Sequence, residues 1–279
     1  MIKDILVCLE GSPSTEAATR IAIGIAKACG AQMAGLAIID EPDIRAGTPT
    51  GIGGSTYKHE RDETLVADAK KLADDWVALF EGRCRAAGVP ARSLEIVGRP
   101  AESILTEMEA HHLMVIGRDA NFRFETEEHD NRTLNAILHK AMRPVLLVPE
   151  MTEPELGHTV LVAYDGSNAA KRAITSFAAS GIAQGRAIHV ATVDDNGVVA
   201  RELSERAVAM LRTANVAATA HNIVSVLSNI DALFKLARDL GAGLMVMGAF
   251  TRGRLRELFS GSVTRGLVEQ TEIPLYLQH

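Results

Sequence analysis

Residues 248–266, GAFTRGRLRELFSGSVTRG, bring together the groups that hold a phosphate. An apolar run, Leu244 to Met247, stops at Gly248, and Gly261-Ser262 opens a second segment of helical periodicity. Strand, loop and helix N-terminus in that order aim unpaired backbone N–H groups and the positive end of a helix dipole at one point. Arg252 and Arg254 add positive charge in the same loop. The chemistry this spacing supports is anion binding.

Other constellations read as structure. Glu127-Glu128-His129-Asp130 has the composition of a metal site, but four consecutive polar residues converge on one ion only if a turn folds them together, and a solvated loop fits them better. His111-His112 reads as a helix end, where a histidine favours the dipole. Gly11-Ser12 and Gly166-Ser167 are turns that open helices, with the serines as N-caps rather than nucleophiles. The chain has no G-x-S-x-G elbow, H-E-x-x-H or Walker A sequence. Cys8, Cys29 and Cys84 are an odd set without a C-x-x-C pair, each in an apolar segment, and read as buried free thiols.

The elements that must position these residues form a repeat. Ile5 to Leu9 leads into Glu10-Gly11-Ser12, and Val160 to Tyr164 leads into Asp165-Gly166-Ser167. Each is a strand of buried length followed by a small polar turn and an alanine-rich helix, over residues 14–29 and 169–183. Leu113 to Ile116 with Gly117 matches Leu244 to Met247 with Gly248, and the runs beginning at Pro144 and Pro274 match near the end of each half. Apolar strands alternating with longer helical patterns predict a parallel sheet with helices on both faces. The polar stretch Thr152-Glu153-Pro154-Glu155 marks the boundary. The first half alone inserts a glycine- and proline-rich stretch, residues 40–54, after its second strand at Gln32–Ile39, before a long helix over about residues 61–88. That stretch reads as a surface loop, with a lid over the ligand crevice as the alternative.

Bulk properties bound the function. At 279 residues with 47% hydrophobic and 23% charged residues, the chain buries a substantial core. A net charge of −6 and 4% aromatics offer neither the field nor the stacking surface that nucleic acid requires. No apolar run approaches about 18 residues, so no membrane helix is expected, and no signal-peptide pattern opens the chain. A cytoplasmic protein is the expectation.

With these residues in view, the chain resembles the universal stress protein family in its tandem two-domain form. In the C-terminal half the resemblance rests on VLVAYDGS at residues 160–167, LMVMG at 244–248, Gly261-Ser262-Val263-Thr264 and the strand at 273–277. It implies two tandem flavodoxin-like (Rossmann-like) α/β domains, each a three-layer α/β/α sandwich on a mainly parallel five-stranded sheet, over residues 1–150 and 158–279. Many members of that family bind ATP through a G-x-x-G-(nine residues)-G-S/T pattern. Others bind no nucleotide and act as sensors or regulators.

Carried over residue by residue, the pattern places Gly248 at the first glycine and Gly261-Ser262 at the closing pair, with Val263 and Thr264 following. Thr251 stands at the second glycine, and Gly253 comes two positions late. A β-branched residue disfavours positive φ, which weakens the loop's approach to a phosphate, although the Thr251 hydroxyl can donate a hydrogen bond. By the same resemblance Asp165 contacts adenine, and Ala163, Val193 and Met247 line its pocket. Asp-Gly-Ser is equally ordinary turn chemistry. In the N-terminal half Gly117 keeps the first glycine, but residues 118–132 hold no later glycine, Glu10 replaces the aspartate, and Glu125, Glu127, Glu128 and Asp130 oppose phosphate by charge.

Three functions follow: an ATP-binding sensor, with Mg²⁺ only alongside ATP; an interaction scaffold without nucleotide, using residues 125–130 or 42–54; and, least supported, a slow ATP hydrolase. The apolar strands ending each half, near Val145 and Leu275, are expected to pair within the chain as an intramolecular pseudo-dimer, with a homodimer of whole chains also open.

Overall fold

The computed structural model describes residues 1–46, 55–120, 122, 132–150, 153, 155–225, 229–249 and 270–279. The N-terminal half runs β1 (Asp4–Leu9), α1 (Pro13–Cys29), β2 (Gln32–Ile39), α2 (Glu41–Ala46), α3 (Ser55–Ala87), β3 (Ala91–Val97), α4 (Pro100–Met108), β4 (Leu113–Gly117), α5 (Arg132–Lys140) and β5 (Val145–Val148). The C-terminal half repeats it as β6 (Thr159–Ala163), α6 (Asn168–Ser180), β7 (Ala187–Asp194), α7 (Gly197–Thr213), β8 (Ala218–Val224), α8 (Asn229–Asp239), β9 (Leu244–Gly248) and β10 (Leu275–Gln278).

Each half is an α/β sandwich on a parallel sheet, and the two sheets join into one of ten strands. The order is β3-β2-β1-β4-β5-β10-β9-β6-β7-β8. Among the described residues the one antiparallel pairing lies at the seam, where Leu275 stands opposite Leu147, Tyr276 opposite Leu146 and Leu277 opposite Val145. Alternation along the strands feeds two apolar layers, one on each face. Ile5, Val7 and Leu9 enter the layer under α1, α3, α6 and α7, while Leu6 and Cys8 enter the layer under α4, α5 and α8. Both layers cross the seam without interruption, through Leu146 and Tyr276 on one face and Leu147 and Leu275 on the other.

Local chemistry sets the helix boundaries. Ser12 and Ser167 cap α1 and α6 by accepting from the Thr15 and Ala170 N–H groups. Gly30 and Gly181 close the same helices in the left-handed region, at φ 64° and 92°. The stretch 40–54, read from sequence as loop, begins instead with α2. Asp40 Oδ1 accepts from the Asp43 N–H at 3.1 Å, Pro42 sits in the first turn, and Ile44 is buried. An aspartate cap and an early proline favour a helical start, and burial of Ile44 anchors it. The long helix also begins earlier than its periodicity indicated, at Ser55. Residues 47–54 lie outside the described residues.

The halves pack their first cores differently. Phe80 of α3 lies over Gly35 of β2, where an added Cβ would stand 2.6 Å from the Phe80 ring. At the matching places of the second half, α7 presents Ala207 and β7 presents Val190, both buried in the same layer. One half puts the bulk on the helix and the other on the strand.

Candidate functional site

In the C-terminal half the chain leaves β6 for β7 and β8 on one side, then crosses to β9 on the other. The carboxyl ends of β6 and β9 therefore flank a topological switch point, where open α/β sheets bind ligands. Asp165 follows β6 directly. Its Oδ1 accepts from the Ser167 N–H at 2.9 Å, closing a turn with Gly166 at φ 78°. Its other carboxylate oxygen has no partner among the described residues, and the side chain is half-exposed.

Val193 is built for exposure of its backbone toward the same crevice. Pairing of β7 with β6 stops at Ala163 opposite Ala191, whereas pairing with β8 continues to Asp194. Beyond that stop, the Tyr164 N–H still donates to Ala191 O, and the Thr192 hydroxyl donates to Tyr164 O at 2.8 Å. Val193 is thus past the last β6 ladder partner, with its β6-side edge turned to the crevice. Ala163 and Met247 face one another in register across β6 and β9 and contribute to the apolar layer beneath α8.

Gly248 has a structural reason for being glycine. A Cβ there would collide with the backbone of Ala169 and Ala170 in the first turn of α6. Gly117 meets the first turn of α1 in the same way, against Ser14 and Thr15. The first glycine of each half serves the close approach of helix to strand, whatever else binds there. Thr251, Gly253, Gly261, Ser262, Val263 and Thr264 lie outside the described residues, as do Arg252 and Arg254.

The N-terminal half fills the corresponding crevice with its own groups. Glu10, buried with 7% exposure, turns inward, and its Oε1 accepts from the hydroxyls of both Ser12 and Thr15. Ser14 Oγ accepts from the Asp119 N–H at 3.2 Å, drawing the chain after β4 onto the start of α1. Phe122 then enters the core with 3% exposure. A cavity of about 190 Å³ lies between α1 and α3 of this half, bordered by Leu9, Thr15, Trp76 and Phe80. Sequence reading passed over Thr15, Phe122 and Trp76. The signal available for Thr15 was the doubled hydroxyl Ser14-Thr15, where the second half has Ala169-Ala170. Glu125, Glu127, Glu128, His129 and Asp130 lie outside the described residues.

The remaining candidates are structural. His111 is buried behind α4, with Nδ1 2.8 Å from Glu107 O and Nε2 3.3 Å from the Asp4 carboxylate. Among the described residues no cluster of three or more His, Cys, Asp or Glu is arranged to hold a metal ion. Burial raises all three thiols, that of Cys84 to about 11, which keeps them protonated and unreactive near neutrality. No helix among the described residues is long and apolar enough to cross a membrane.

Comparison with known proteins agrees with this architecture. The model of the universal stress protein family matches twice, over residues 1–149 and 157–277. A universal stress protein of Synechocystis sp., Slr1230, is 21% identical over 98% of this chain and 99% of its own length. A crystal structure of a universal stress protein from Archaeoglobus fulgidus superposes with a TM-score of 0.70 at 19% identity, covering 99% of this chain and 95% of that one. A functionally unknown protein from Pseudomonas aeruginosa superposes with a TM-score of 0.54 at 16% identity, covering 99% of this chain and 92% of that one.

Proposed function

The chain belongs to the universal stress protein family, and from that premise we propose that its C-terminal half binds ATP while its N-terminal half does not. The nucleotide acts as a signal in the stress response rather than as a substrate. The observation that carries this reading is the state of the two acidic residues. Asp165 stands at the carboxyl end of β6 with one oxygen unpartnered among the described residues, free to accept from the exocyclic amine of adenine. Glu10 holds the same place in the first half but is committed to Ser12 and Thr15.

The residues present fit an adenine nucleotide. The carboxylate of Asp165 and the backbone edge of Val193 offer polar contacts to the base, beside an apolar floor of Ala163 and Met247. Phosphate binding falls to the segment that opens at Gly248, through Gly261 and Ser262, with Val263 and Thr264 behind them and Thr251 and Gly253 between. Mg²⁺ comes with the phosphates. Three free cysteines suit a reducing, cytoplasmic setting.

Isothermal titration of nucleotide-free protein with ATP and Mg²⁺ tests the proposal, with one site per chain expected. Asp165→Ala removes a hydrogen bond to a charged acceptor, worth about 1.5–3 kcal/mol, or roughly a 10- to 150-fold loss of affinity. Glu10→Ala leaves affinity unchanged and lowers stability instead. Absence of heat with the parent protein overturns the reading, as does equal binding by Asp165→Ala.

A further inference from the structure

Strands β7 and β8 carry a histidine pair that the first half lacks. His189 Nδ1 lies 2.8 Å from His221 Nε2, with ring centroids 5.1 Å apart and ring planes at 44°. The register sets His189 opposite Thr219 and His221 opposite Ala191, so the rings meet diagonally across adjacent parallel strands. Alternation along the strands places them on the face shared by Ala191, Val193 and Ile223, which α8 covers with Leu233 and Ala237. In the first half the same register positions hold Ala34 and Leu94, both within the apolar layer.

A nitrogen–nitrogen distance of 2.8 Å is a hydrogen bond, and it needs one N–H and one lone pair. The neutral pair satisfies that with one ring donating. A single added proton goes to the far nitrogen of the donor ring and leaves the bond intact. A second must occupy the accepting nitrogen, setting N–H against N–H between two cations.

Among the described residues no carboxylate is placed to absorb that charge. Asp231, Lys235, Arg238 and Asp239 of α8 are all exposed, and Lys235 is paired with Asp239 at 3.0 Å. Asp194, at the far end of β7, accepts from the Asn196 N–H. β6, β9 and the rest of β8 carry no charged residue. Burial and the neighbouring His189 also hold the His221 imidazole below its ordinary range.

We propose that His189 and His221 form a pH-sensitive latch, which clips the edge strand β8 and helix α8 to β7 while the pair carries at most one positive charge and releases them when it gains the second. The folded state then binds fewer protons than the unfolded chain. Stability is therefore fully present above the ordinary histidine range, about pH 6.5, and declines as pH falls through it. The latch stands on this geometry alone and does not depend on nucleotide binding.

The test uses the full chain in two ways. Imidazole C–H resonances followed by NMR from about pH 8 to about pH 5 should show two rings titrating as a coupled pair, with apparent values separated by more than about one pH unit. Urea midpoints should fall on acidification by more in the parent than in His189→Ala/His221→Leu, which copies the first half. His221→Leu alone gives a second comparison if the double variant folds poorly. Parallel midpoint losses in parent and variants overturn the latch, and so do two rings titrating independently in the ordinary range.

Discussion

Glu10 and Asp165 occupy one place in a repeated fold, yet one is sealed and the other open. The turns match: glycine at φ 83° and 78°, then a serine that caps the following helix. Two small differences separate them. Glutamate is one methylene longer, and the first turn of α1 offers Thr15 where α6 offers Ala170. The longer acid folds back onto two hydroxyls, whereas the shorter one finds, among the described residues, only a backbone N–H. A ligand crevice can thus be closed without moving the backbone, by giving its acidic residue partners inside the protein.

What the halves share is most severely tested at the first glycine. Gly248→Ala forces a Cβ into the backbone of a helix start, where no side-chain rotation gives relief, and Gly117→Ala forces one against the Ser14 hydroxyl and the backbone of Ser14 and Thr15. Overpacking of this kind costs about 3 kcal/mol in each half. Chemical denaturation without nucleotide reads it. A Gly248→Ala protein of unchanged stability that has lost ATP binding would show that this glycine serves the ligand and that the halves differ here as well.

What they do not share is sharpest at Gly35 and Phe80. Gly35→Val copies Val190 into the first half and drives two methyl groups into the Phe80 ring, at about 3 kcal/mol. Phe80→Ala alone opens a cavity and costs about 3–5 kcal/mol. Together they recreate the Val190 and Ala207 arrangement of the second half, so the pair should cost at least about 2 kcal/mol less than the sum of the singles. Additive losses in a double-mutant cycle would mean that the two cores are not exchanged solutions to one packing problem.

These contrasts also show what a sequence makes legible. The central strands were readable because burial on both faces leaves continuous apolar runs, β2 spanning Gln32–Ile39, the run itself, whereas the half-exposed β3 and β8 carry no such run. The paired turns and serine caps were readable because capping is local. Helix α2 was missed, since the glycines beyond Pro42 signal a loop, whereas the Asp40 cap and the burial of Ile44 decide for helix. The inward turn of Glu10 depends on a hydroxyl five residues on, a contact that no periodicity reports. The histidine pair lies further from view, 32 residues apart in the chain and joined only by strand register. Of the phosphate segment, the described residues hold only Gly248 and Ala249.

The smallest expected effect concerns a tie that runs one way across the seam. After β4 and β9 the backbone repeats, with Arg118 N–H donating to Val148 O at 2.7 Å and Ala249 N–H donating to Gln278 O at 2.8 Å. The side chains do not repeat. Arg118 Nη1 reaches into the other half and donates to Thr271 O at 2.9 Å, while Asp119 holds the guanidinium through both carboxylate oxygens. Ala249 has nothing to extend in return. The first half therefore braces Thr271, between the proposed phosphate segment of the second half and β10. Arg118→Ala should cost about 1 kcal/mol, the ordinary net worth of an intramolecular hydrogen bond, and should speed amide exchange in β10 more than in β5. Arg118→Lys should recover little, because an ammonium cannot serve Asp119 in a fork and Thr271 together. Equal acceleration in both strands would show general loosening of the seam rather than a one-way brace.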